Sequence, residues 1–380
     1  MRARQILVGA MALLALAAPA CTERSGPTSA TTSTTAPSAT GVSVLPDIAY
    51  YGNGPELDAY LPDPRPSSAI PAVIFVHGGG WAGGSRAEWG PWATKLVKEK
   101  GWAAFDVDYR LDDSDPLSWP DEFLDLQAAV RFVAANAAAF GIDPKRIALL
   151  GESAGGNLSA LVSSLGTTNS LTGSPAGASS AGQQVDGVTV AGQTLKFPAT
   201  DLEVSTAAVA LWSVPTELAP LDPPAKGQSA PGCGADKVCA FAWDSGVIEN
   251  YFGCSAIQCP QSYAAASPIT HVSPTTSPTF VANAEEELVP LAQATEYAAA
   301  LASAGVFNEL KVVRDVARIS ERRRPVGTDH QFPGPIHRSL NATSVEVRLL
   351  HWRAMPAAAH ALQPPSPQAP KPPRFPQESL

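Results

Sequence analysis

Six short runs rich in Val, Ile and Ala recur at 72–76, 103–107, 147–150, 207–212, 279–282 and 309–313, and helix-length segments at 86–100, 121–140, 155–165 and 291–304 separate several of them. A strand that is apolar on both sides has to be covered on both faces, and a parallel neighbour needs a crossover of helical length. The pattern predicts an α/β fold, a mostly parallel doubly wound sheet with helices on both faces. Within 121–140, Phe123, Leu124, Val130, Phe132 and Val133 form a helical stripe that reads as core packing, and Gly141 supplies a left-handed stop.

Two glycine-rich stretches follow two of those strands: His77, Gly78, Gly79, Gly80, Trp81 after AVIFV, and Gly151, Glu152, Ser153, Ala154, Gly155, Gly156 after RIALL. A serine hydroxyl becomes a nucleophile when a base takes its proton and its oxygen is held clear of the backbone. A sharp strand-to-helix turn does the second, and Gly151 and Gly155 leave room for it around Ser153. The first stretch suits an oxyanion hole, with backbone N–H groups of Gly79, Gly80 and Ala154 as donors to the tetrahedral intermediate. His77 precedes the serine and reads as a brace for this turn rather than as the base. Trp81, beside the turn, is the aromatic expected to border the substrate, and Tyr109 and Arg110 read as structural.

With HGGGW, DYR at 108–110 and GESAGG, residues 46–313 resemble the hormone-sensitive-lipase-like and bacterial acetyl- or feruloyl-esterase-like branch of the α/β-hydrolase superfamily. The resemblance implies an α/β-hydrolase fold and a serine carboxylesterase that acts on small acyl or aryl esters without metal or cofactor. In that branch the acid follows a late strand, four positions before a proline. Glu286 has this place ahead of Pro290, with Glu285 and Glu287 on either side, and the other reading of the loop is a solvated acidic surface. The base is expected shortly after a strand such as ELKVV, behind a Pro and a Gly. Here Arg314, Asp315, Val316, Ala317 and Arg318 follow instead, then the basic run 322–324. His330, 44 positions after Glu286 in Gly-Thr-Asp-His-Gln-Phe, is the substitute base, and His337 the second candidate. His271 is expected to cap a turn, and His351 and His360 to lie at the surface.

From Arg314 onward ten Lys/Arg face five Asp/Glu, against sixteen and thirty before it. This reversal fits a foreign or unstructured end, such as a shifted reading frame would encode. It leaves a second function open: a catalytically impaired hydrolase-like fold without a base, acting as a binding or vestigial lipoprotein.

Arg2 and Arg4, an apolar segment over 6–18 and the small residues before Cys21 have the order of a secretory signal. Cys21 stands where a bacterial lipobox places the lipidated cysteine, so the protein is expected to be exported, as a cell-surface lipoprotein or secreted. The organisation expected is a signal over 1–21, a flexible Ser/Thr-rich linker over 22–43, a hydrolase domain over 44–355 and a Pro-rich disordered tail over 356–380. In the domain, 217–268 reads as a cap insertion, 314–355 as atypical and 166–206 as a mobile excursion. Cys233, Cys239, Cys254 and Cys259 read as two disulfides of the cap, paired locally, with a four-cysteine zinc site as the rival reading. A net charge of −9 and a pI near 5.2 argue against a nucleic-acid partner.

Overall fold

The computed structural model describes residues 41–111, 119–169, 181–221, 246–285 and 287–313. Its strands are β1 (Gly41–Ala49), β2 (Glu56–Asp63), β3 (Ile70–Val76), β4 (Ala103–Val107), β5 (Ile142–Glu152), β6 (Gln184–Val190), β7 (Gln193–Lys196), β8 (Ala208–Trp212), β9 (Thr279–Ala284) and β10 (Asn308–Val313). Its helices are α1 (Gly90–Lys100), α2 (Asp121–Ala135), α3 (Ala137–Phe140), α4 (Ser153–Leu165), α5 (Val247–Phe252), α6 (Pro260–Ala265) and α7 (Leu291–Ser303).

Eight strands form one sheet in the order β1-β2-β4-β3-β5-β8-β9-β10. The pairs β1·β2 and β2·β4 are antiparallel; from β4 to β10 every pair is parallel. All seven residues of β3 are buried. They alternate, as a strand must: Ala72, Ile74 and Val76 join the core cluster that contains Leu126, Val130 and Leu158 of α2 and α4, while Val73 and Phe75 pack with Ala93, Leu96 and Val97 of α1. The expected doubly wound α/β sheet is the one observed.

Two segments differ from expectation. The helix foreseen over 121–140 breaks at Asn136, whose side chain donates to the Phe132 carbonyl (2.9 Å) and exchanges two hydrogen bonds with the Lys196 backbone (2.9 Å each). Gly141, at φ 72°, stops α3 as foreseen. Beyond α4, β6 and β7 form a hairpin closed by Ala191 (φ 50°) and Gly192 (φ 76°). Two positive φ values are those of a type I′ turn, which matches the twist of paired strands. The described part of the excursion is therefore ordered, and Leu195 and Phe197 fix it in the core.

The parallel register brings chemistry to one edge. Val76 pairs with Gly151, Glu152 with Trp212, and Trp212 with Ala282. His77, Ser153, Ser213 and Asn283 are thus the next residues along four adjacent strands, at the carboxyl ends where open α/β sheets bind ligands.

Candidate active site

Ser153 lies at φ 52°, a left-handed conformation that an L side chain adopts at a cost of roughly 1–3 kcal/mol. Its neighbours explain how the fold holds it there. A Cβ on Gly155 would lie 2.2 Å from the His77 carbonyl oxygen and 2.4 Å from that of Val76, and one on Gly151 would lie 2.3 Å from the Gly155 oxygen. Only glycines let α4 start this close to β3, which makes the bend behind Ser153 abrupt.

The glycine-rich turn faces the serine directly, since a Cβ on Gly78 would come 3.3 Å from the Ser153 Cβ. Gly79 (φ 117°), Gly80 (φ 63°) and Trp81 (φ 61°) then run through three successive positive φ values. His77 is wholly buried. Its Nδ1 is 2.8 Å from the Gly78 oxygen, its Nε2 is 3.8 Å from an Asp108 carboxylate oxygen, and its ring stacks on Tyr109 at 4.2 Å. The Tyr109 hydroxyl donates to the His77 carbonyl (3.0 Å). Asp108 in turn accepts from the Arg86 backbone N–H (2.7 Å) and pairs with the Arg86 guanidinium. That guanidinium also reaches Asp58 (2.9 Å) and Glu56 (3.1 Å). His77 thus has the bracing position read for it.

Tyr109 and Arg110 carry structure, as expected. The Arg110 fork grips both oxygens of the fully buried Asp125 at 2.8 Å, and the Tyr51 hydroxyl donates to the same carboxylate (2.6 Å). This ties the loop after β4 to the first turn of α2.

The cap lies over the turn. A Cβ on Gly80 would meet Val247 of α5 at 2.8 Å, and Trp81 stacks on Tyr251 of the same helix with ring centroids 4.4 Å apart and planes 10° apart. Trp81 is 3% exposed, so what it offers this site is a fixed backbone more than a free ring face. A disulfide joins Cys254 to Cys259 between α5 and α6, the local pairing expected.

The loop after β9 closes on itself. Asn283 donates to the Ala284 (3.0 Å) and Val289 (3.1 Å) carbonyls. Glu287 accepts from the Ala284 N–H (2.7 Å) and from the Ser213 hydroxyl (2.5 Å). Asn283 and Ser213 hold this loop and carried no signal in the sequence. Glu286, His330, His337, Cys21, Cys233 and Cys239 lie outside the described residues. His271 caps a turn, its Nε2 2.8 Å from the Ala265 carbonyl oxygen. No group of three or more His, Cys, Asp or Glu able to hold a metal occurs among the described residues.

A family model described as BD-FAE, of the hormone-sensitive-lipase-like α/β-hydrolases, matches residues 57–301, well over half of the chain. The chain belongs to the BD-FAE family. Esterase LipC of Mycobacterium tuberculosis is 39% identical over 113 residues, 29% of this BD-FAE chain and 28% of LipC. Carboxylesterase NlhH of the same species is 42% identical over 96 residues, 25% of this chain and 30% of NlhH. The aligned segments thus span less than a third of these relatives. A solved carboxylesterase from Lactobacillus plantarum WCFS1 superposes with a TM-score of 0.55 over 85% of this chain and 99% of its own, at 18% identity, which establishes the shared fold.

Proposed function

We propose that this BD-FAE protein is an exported serine carboxylesterase that cleaves small acyl or aryl esters through an acyl-enzyme. The observation that carries the reading is the strained Ser153, held on a glycine-lined bend against the turn that follows β3. Esterase relatives support ester hydrolysis as the class of reaction.

In this reading Ser153 Oγ attacks the ester carbonyl while His330 accepts its proton. Glu286 orients the imidazole and offsets its charge. The N–H groups of Gly79, Gly80 and Ala154 receive the oxyanion, each lowering the barrier by about 3 kcal/mol. The imidazolium then protonates the departing alcohol, and water, deprotonated by the same imidazole, releases the carboxylic acid and restores the serine. Lipidation at Cys21 would tether the domain to a membrane through the 22–43 linker.

Nitrophenyl acetate turnover is expected to vanish in Ser153→Ala and to fall by at least a thousandfold in His330→Ala. Labelling by a fluorophosphonate should be confined to Ser153. Turnover that survives Ser153→Ala would sink the proposal.

A further inference from the structure

Ser213, the first residue after β8, has φ 47°, a left-handed conformation in which glycine is at ease and a serine is strained. A serine held there supplies something that glycine lacks, and its hydroxyl donates to the Glu287 carboxylate at 2.5 Å. A hydroxyl that donates to a carboxylate makes one of the stronger hydrogen bonds in a protein. The other Glu287 oxygen accepts from the Ala284 N–H at the end of β9 (2.7 Å). One half-buried carboxylate thus joins the carboxyl ends of β8 and β9.

The rest of the loop is tied down around it. The Glu285 N–H donates to the Val313 carbonyl of β10 (3.1 Å), and Asn283 holds the Val289 carbonyl (3.1 Å). Glu286, the proposed acid, therefore stands in the sequence between one residue fixed to β10 and one fixed to β8. Strand β8 lies beside β5, which leads into Ser153. A group that orients a catalytic imidazole has to be held to within about 0.5 Å, and a loop does this only when other side chains brace it.

We infer that Glu287 is a positioning residue for the catalytic acid: through the Ser213 hydroxyl it ties the loop that bears Glu286 to the strand beside the nucleophile. This deepens the esterase reading and rests on it. An acid held against the imidazole favours its protonated form and raises its pKa. A slackened loop should therefore lower kcat/KM and move the acidic limb of the kcat/KM profile, which reports the base, to lower pH. A role in folding alone would lower the melting temperature and leave that limb in place.

The test compares the full-length protein with Ser213→Gly, which removes the hydroxyl where the backbone favours glycine, with Glu287→Gln, and with the double variant. The measurements are nitrophenyl acetate kinetics as a function of pH, and melting temperature. Each single variant is expected to lower kcat/KM about tenfold at neutral pH and to move the acidic limb down by about half a pH unit. Ser213→Gly, relieved of strain, should melt close to the wild-type temperature. The double variant should lose no more than Glu287→Gln alone, because Ser213 acts only through that carboxylate. Wild-type kinetics in Ser213→Gly, or additive losses in the double variant, overturn the positioning role. A loss of roughly a thousandfold in Glu287→Gln beside near-wild-type Ser213→Gly makes Glu287 the acid itself and overturns it too. If Glu287→Gln does not fold, Ser213→Gly decides alone. A wild-type protein that neither turns over the ester nor takes a fluorophosphonate at Ser153 fails the esterase reading itself, a result distinct from all of these.

Discussion

A methyl group added at Gly155 would point at the His77 and Val76 carbonyl oxygens from little more than 2 Å, so Gly155→Ala must push α4 away from β3. Overpacking of this kind costs about 1–3 kcal/mol, and it moves Ser153 off its bend. Urea unfolding should show the loss, and ester turnover should fall at least tenfold. A second prediction concerns Asp106 on β4, buried on the α1 side of the sheet. Burial, and then the Asp58 charge, raise its pKa well above the usual carboxylate value, and the neighbouring Tyr60 hydroxyl offsets this in part. A raised carboxyl pKa contributes stability that is full below the unfolded pKa and is lost as pH rises through the folded one. Asp106→Asn should therefore melt at a higher temperature than wild type at pH 7, and the difference should shrink towards pH 4. Ser153 and its glycines were legible in the sequence because their chemistry demands particular residue types at fixed spacing. Ser213, Asn283 and Tyr251 were not, because each acts on a residue brought to it from elsewhere in the chain, and no local pattern encodes that meeting.

At the level of elements, α2 is held by the pair between Arg110 and Asp125. Asp125 is 0% exposed, and its carboxylate takes the Arg110 fork, the Arg110 backbone N–H and the Tyr51 hydroxyl. Arg110 is 43% exposed and keeps Asp121 as a second partner, so Asp125→Ala should destabilise the fold by about 1–3 kcal/mol in denaturant titrations, chiefly through the hydrogen bonds lost at this buried carboxylate. Strands β3, β4, β8 and β9 could be read as apolar runs because both of their faces are covered, whereas β10, at the edge of the sheet, is half-buried throughout. Strands β1 and β2 could not. Most β1 residues are half-buried or exposed, Pro46 lies inside it, and its register shifts between Leu45 and Ile48. The β6–β7 hairpin escaped notice because its strands are short and polar, and its one signal was a single glycine after Ala191.

Across the described residues, Ser153 and the glycine-rich turn after β3 meet at the carboxyl ends of the sheet strands, and the signal-like sequence precedes β1. No helix among the described residues is long and apolar enough to cross a membrane; the attachment proposed for the protein is through Cys21. Cys21→Ser is expected to move the protein from the membrane fraction to the soluble one, and fractionation of expressing cells would show it. The resemblance reaches only to β10, and the base proposed at His330 lies beyond it, where the change in charge balance removed the family's own pattern. Val247 packs over Gly80 and Tyr251 lies against Trp81, so a substitution in α5 made to admit a bulkier ester would also disturb the turn whose amides are proposed to receive the oxyanion.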